Sequence, residues 1–146
     1  MWIQKNVHLT LTHMTFQTRN SEKEYFRFKS VVAGLALAGT VALEAAADHL
    51  GTGSSTLQRR LSMRGISFWA LVGQSRFEIA AALLCDTDQK IRTIASRLGY
   101  SSPNEFNRAF ARWAGCSPSE FRALSALPQH GKQIGAKWAE ATRVPQ

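Results

Sequence analysis

Cysteine, proline and acidic residues are the scarce components of this sequence: 2, 4 and 10 of 146. Cys85 and Cys116 stand alone, without paired spacing or a neighbouring histidine. That excludes a disulfide framework and a cysteine–histidine metal site, and it suits reduced thiols, in the core or partly buried, of a cytoplasmic protein. Of the four prolines, Pro103 and Pro118 fall near the starts of helical patterns, where proline is tolerated, and Pro128 and Pro145 fall near the end of the chain. The uncharged run from Ser30 to Leu43 has 14 residues, short of the roughly 18 needed to span a membrane. Arg27 and Lys29 before it give it a superficial likeness to a signal peptide, but its late start, Gly34 and Gly39, and its smooth entry into the next helical pattern argue against one. No nucleophile–base pair, carboxylate pair or metal cluster stands in a recognisable setting, so neither an enzyme nor a cofactor is expected. Gly51-Thr52-Gly53-Ser54-Ser55 lacks the Gly-Lys-Ser/Thr and the preceding strand of a phosphate loop. With 18 basic residues against 10 acidic, the net charge is +8, which favours a polyanionic partner without separating DNA from RNA or an acidic membrane surface.

What is present is a duplicated pattern. From Lys90 to Arg122, Ile91, Ile94, Ala95 and Leu98 fall at helical spacings, Gly99 breaks the helix, and a second helix points Phe106, Phe110 and Trp113 inward. The same helix points Asn104, Asn107, Arg108 and Arg112 outward. Upstream, at an offset of 48, Leu43, Ala46, Ala47, Leu50 and Gly51 superpose on Ile91, Ile94, Ala95, Leu98 and Gly99. Past the glycine the offset becomes 49, and Leu57, Gln58, Arg59 and Leu61 fall on Phe106, Asn107, Arg108 and Phe110. Each unit is a helix, a turn, and a second helix that pairs a side-chain amide with an arginine.

That pair has a chemical use. In a helix-turn-helix the second helix enters the DNA major groove and its leading residues reach base edges. Arginine pairs bidentately with guanine, asparagine or glutamine with adenine, and each good pair gives about 1–3 kcal/mol of discrimination. The base-reading candidates are Gln58, Arg59, Asn104, Asn107 and Arg108, with Ser54, Ser55 and Thr56 at the leading edge of the first such helix. Lys90 and Arg112 are candidates for phosphate contacts, which position a protein without specifying sequence. Net charge is not concentrated where DNA would touch, being +3 over residues 1–40, +3 over 41–127 and +2 over the tail, so the inference rests on placement.

The stretches Thr56-Leu57-Gln58-Arg59-Arg60-Leu61, Ile94-Ala95-Ser96-Arg97-Leu98-Gly99-Tyr100, Phe106-Asn107-Arg108-Ala109-Phe110-Ala111-Arg112-Trp113 and Gly115-Cys116-Ser117-Pro118-Ser119-Glu120-Phe121-Arg122 resemble the DNA-binding domain of the AraC/XylS family of bacterial transcription regulators. The resemblance covers 82 residues, Val41 to Arg122. It implies an all-α fold in which two helix-turn-helix units, joined by a long linker helix, read successive major-groove turns on one face of double-stranded DNA. RNA polymerase is an implied partner and the membrane is not. The sequence departs from the family at Gly53, where a capping serine is usual, so that Ser54 takes over or the helix starts looser, and at Ser55, often bulky or basic. The rival readings are a protein-interaction adaptor whose scaffold no longer reads DNA and a truncated helix-turn-helix fragment that does not read it.

The expected organisation is an N-terminal extension over 1–40, a DNA-binding domain over 41–127 and a mobile tail over 128–146, where Lys132 and Lys137 add nonspecific affinity. Within the domain the first unit spans about 41–66, the linker helix 68–85 and the second unit about 88–124. Family members commonly carry an effector or dimerisation domain, and the extension reads as a remnant of one. Alternation of Val7, Leu9 and Leu11 with His8, Thr10 and Thr12 predicts a short strand, with His8 and His13 on opposite faces. Tyr25, Phe28, Val32 and Leu35 predict a helix that covers the first unit. Thr40, Ser67, Asp88 and Ser117 are the predicted helix caps, the last in a capping box with Glu120. Arg76, in line with the apolar stripe of the linker helix, is expected to pair with a helix C-terminus or an acid, and Trp113 to close the second core with Phe121.

Overall fold

The computed structural model describes residues 2–127, with side chains from Thr18 onward. Among the described residues seven helices follow in order: α1 (Trp2–Ala38), α2 (Leu43–His49), α3 (Ser54–Ser62), α4 (Phe68–Asp86), α5 (Ile91–Arg97), α6 (Pro103–Ala114) and α7 (Pro118–Ser125). Everything regular among the described residues is helical. The expectations for the tail, and for the side chains of His8 and His13, lie outside the described residues.

The predicted N-terminal strand is overturned, because Val7, Leu9 and Leu11 lie within the 37-residue α1. Two physical facts decide against the strand. Alternation needs a partner strand to be stabilised, and none is present among the described residues. No glycine or proline occurs between Trp2 and Ala33, so nothing stops a helix from propagating out of the packed half of α1.

That packed half does what its spacing predicts. Phe28, Val32 and Leu35 are buried with Ala46, Ala47, Leu57, Leu61, Phe68, Leu71 and Val72 in the core of the first unit. Lys29 Nζ lies 2.7 Å from Glu78 Oε1, and Arg60 Nη1 lies 2.9 Å from Glu24 Oε1. Partly exposed pairs of this kind contribute about 0–1 kcal/mol, against about 1.5–3 for each large buried apolar side chain, so burial holds α1 in place.

α4 joins the two units by belonging to both cores. Its N-terminal half supplies Phe68, Leu71 and Val72 to the first core; its C-terminal half supplies Phe77, Ala80 and Leu84 to the second, with Ile94, Ala95, Leu98, Phe106, Phe110 and Phe121. By length and composition α4 passes as a membrane span, but Phe68, Leu71, Val72, Phe77, Ala80 and Leu84 are buried in these two cores. Ser67 caps it as predicted, accepting the Ala70 N–H at 3.1 Å.

Two predicted caps are corrected. Thr40 does not cap α2: its N–H closes α1 onto the Leu35 carbonyl at 3.1 Å, and Ala42 takes the cap position without a side-chain bond. Asp88 does not cap α5, where Lys90 stands instead. The connection before α5 is held from elsewhere: Arg122 donates from Nε to the Leu84 carbonyl at 3.2 Å and from Nη2 to the carbonyls of Thr87 at 3.3 Å and Gln89 at 2.7 Å. The capping box of α7 forms as expected, with Ser117 and Glu120 each accepting from the other's backbone.

Candidate nucleic-acid interface

Each unit presents its second helix by the same means. Two apolar residues one turn apart, Leu57 and Leu61 in α3 and Phe106 and Phe110 in α6, are buried and fix the rotation of the helix. At 3.6 residues per turn, the residues diametrically opposite are Ser55 and Arg59 in α3 and Asn104 and Arg108 in α6, all exposed. The side chains of Arg59 and Arg108 make no hydrogen bond or ion pair with any described residue, so both guanidiniums are free to engage a ligand.

The starts of the two helices differ. Ser102 caps α6, accepting the Glu105 N–H at 3.2 Å, while the Glu105 carboxylate accepts the Ser101 N–H at 3.3 Å and the Ser101 hydroxyl. The Ser101 hydroxyl, above all, holds the Glu105 carboxyl below its ordinary range. At α3 the cap is Gly53, with no side-chain bond, and Ser54 is the first helical residue. The looser of the two expected starts is therefore the one adopted.

The structure brings Ser55 and Arg59 together on one outward strip, and Asn104, Arg108 and Arg112 on another. Gln58 is exposed on the flank of α3. Its repeat partner Asn107 is half-buried on the flank of α6, with Oδ1 buried and without a hydrogen-bond partner. Ser54 and Thr56 are half-buried at the head of α3, and Lys90 is exposed at the head of α5. The expectation of core or partly buried thiols holds for Cys116, which is partly buried, and fails for Cys85, which is exposed.

One further expectation is corrected, and of the two partners expected for Arg76 the helix C-terminus is the one it meets. Trp113 does not close the core: it is 37% exposed and lies along the side of α4, its ring stacked on Phe77 at 6.0 Å and packed over Gly73. Arg76 meets no acid among the described residues. Its guanidinium lies over the Tyr100 ring, 5.3 Å from the centroid, and against Gly99, which follows the C-terminus of α5. Gly99 has φ +79°, and a Cβ there would sit 3.3 Å from Arg76 Nη2. Gly99→Ala is therefore expected to lose about 1–2 kcal/mol from the left-handed backbone alone, read as a lower denaturant midpoint; a variant as stable as the parent would contradict this account.

The sequence did not reveal three cationic roles. Arg60 and Arg64, beside the candidate Arg59, are held by α1: Arg60 pairs with Glu24, and Arg64 donates to Ser21 and lies 4.9 Å over the Tyr25 ring. Arg122 clamps the connection from α4 to α5. All three partners lie more than thirty residues away, beyond any local signal.

Comparison with known proteins gives consistent neighbours. Residues 46–124 match a family model described as a helix-turn-helix domain. The transcriptional regulator VirS of Mycobacterium tuberculosis is 38% identical over 89 residues, 61% of this chain and 26% of VirS. The chain spans about a quarter of the length of the curated relatives it matches. Among solved structures, the C-terminal domain of AraT, a response regulator from Geobacillus stearothermophilus, superposes with a TM-score of 0.61 at 30% identity, covering 71% of this chain and 87% of that one. The DNA-binding domain of AdpA, a global transcriptional factor solved with a target DNA, superposes with a TM-score of 0.58 at 28% identity, over 70% of this chain and 96% of that one.

Proposed function

Because this chain belongs to the AraC-type helix-turn-helix family of transcription regulators, we propose that it is a sequence-specific DNA-binding regulator that reads two successive major-groove segments of a promoter through α3 and α6. Arg59 and Arg108 are the principal base readers. Ser54, Ser55, Thr56 and Gln58 assist at the first groove, Asn104 and Asn107 at the second, and Lys90 and Arg112 contact phosphates. The observation that carries this reading is the matched placement of Arg59 and Arg108, each opposite a buried apolar pair and each without an internal side-chain hydrogen bond or ion pair. The target-bound state of the similar AdpA domain supports double-stranded DNA as the ligand. The protein works in the cytoplasm beside RNA polymerase and carries no catalytic activity.

The arrangement also predicts the form of the site. Two reading helices on one connecting helix meet one face of the duplex one helical repeat apart, about 34–36 Å or 10–10.5 base pairs. Selection of bound sequences from a random pool, at two salt concentrations, is expected to enrich a two-part motif with that spacing. A steep salt dependence with no enriched motif would instead mark a scaffold that holds DNA, or a protein partner, without reading sequence.

A further inference from the structure

One cleft beside α6 reaches past the base-reading strip, sharing only Arg108 with the base-reading candidates. Its walls are Arg76 from α4, Gly99 and Tyr100 from the turn after α5, and Glu105, Arg108 and Arg112 from α6. Three arginines from two helices thus line one cleft with one tyrosine, against a single carboxylate. That carboxylate is already engaged by the hydroxyl and N–H of Ser101. Arg76 stacks on the Tyr100 ring, and its Nε is buried without a hydrogen-bond partner. Burial raises the Tyr100 hydroxyl above its ordinary value, while the Arg76 and Arg112 charges pull it back.

We infer that the Arg76–Tyr100–Arg112 cleft is a phosphate seat, supplying one fixed anion contact on the flank of α6. A phosphate offers several acceptor oxygens to the fork-shaped donors of two arginines and to the tyrosine hydroxyl, and charge-assisted bonds of this kind are the strong ones. Gly99 lets the Arg76 guanidinium lie close to the backbone there. The inference deepens the DNA-binding reading without depending on base recognition. The phosphate is either a phosphodiester of the bound strand or a free phosphate group, and the test separates the two.

The full chain is compared with Arg112→Gln, an exposed change that spares the core, and with Tyr100→Phe, which removes only the hydroxyl. If the seat holds a strand phosphodiester, Arg112→Gln weakens binding to a random-sequence duplex and to a selected one by the same factor, roughly five- to tenfold, and makes the slope of log K against log salt shallower by about 1. If it holds a free phosphate, inorganic phosphate at constant ionic strength moves the Gly99 amide signal of the DNA-free chain in NMR, and both variants abolish the response. An unchanged slope together with no phosphate response overturns the seat. Should a two-part motif be selected while both arms are silent, base reading stands and the seat fails; a shallower slope with no motif gives the reverse.

Discussion

Phe110→Ala is expected to lower stability by about 3–5 kcal/mol, the range for removing a buried aromatic ring from a core that cannot collapse around the loss. Phe110 is 2% exposed and is the hub of the second unit: its ring centroid lies 5.0 Å from that of Phe77, 5.8 Å from Phe106 and 5.2 Å from Phe121. Those rings come from α4, α6 and α7, so one truncation loosens three helices at once. The first unit has no such aromatic hub, because Leu57 and Leu61 occupy the corresponding positions of α3. Urea unfolding followed by helical circular dichroism measures the loss; a drop below about 1 kcal/mol would mean the rings do not act as one packed cluster.

The second large effect concerns binding. Arg59→Ala and Arg108→Ala are each expected to lose about 1–3 kcal/mol on the selected duplex, roughly five- to 150-fold in Kd, with relaxed preference at one base position each. The two side chains sit on different helices above different cores, so the losses should add in the double variant to about 2–6 kcal/mol. Fold is preserved, because both side chains are exposed and make no internal bond. Titration against selected and scrambled duplexes decides the outcome. Equal losses on both would make these arginines phosphate ligands, and strong non-additivity would mean the two helices do not engage separate segments.

How far the sequence reveals this molecule depends on the range of the forces involved. Buried apolar periodicity is local, and it located α2 to α7 and most of both cores. Serine caps are local too: Ser67 and Ser117 take the places that their spacing to Ala70 and Glu120 demands. Thr40 and Asp88 also looked like caps, but a cap competes with whatever else needs the same backbone. The Thr40 amide is occupied in ending α1, and the segment before α5 is claimed by Arg122. The N-terminal alternation misled for a related reason, since a period of two has no consequence unless another strand pairs with it. Trp113 is set by the shape of α4: Gly73 leaves a shallow place for its ring outside the core.

The site residues divide in the same way. Ser55, Arg59, Asn104 and Arg108 were legible because helical geometry alone puts them opposite buried neighbours. Asn107, one residue from Phe106, is drawn to the flank by the same geometry, which the amide-arginine repeat by itself does not convey. The cleft around Arg76 and Tyr100 was not legible, because its walls come from residues 24 to 36 positions apart that meet only after α4 packs against α6.

The continuity of α4 across two cores makes its length, and not only its composition, a determinant of geometry. Adding a single residue midway would advance its far half by about 1.5 Å and swing it by about 100°. A deletion would do so in the opposite sense. Surface loops absorb such changes, but here the error would pass undamped from one end to the other, so that the protein acts as a calliper whose jaws are set by a residue count.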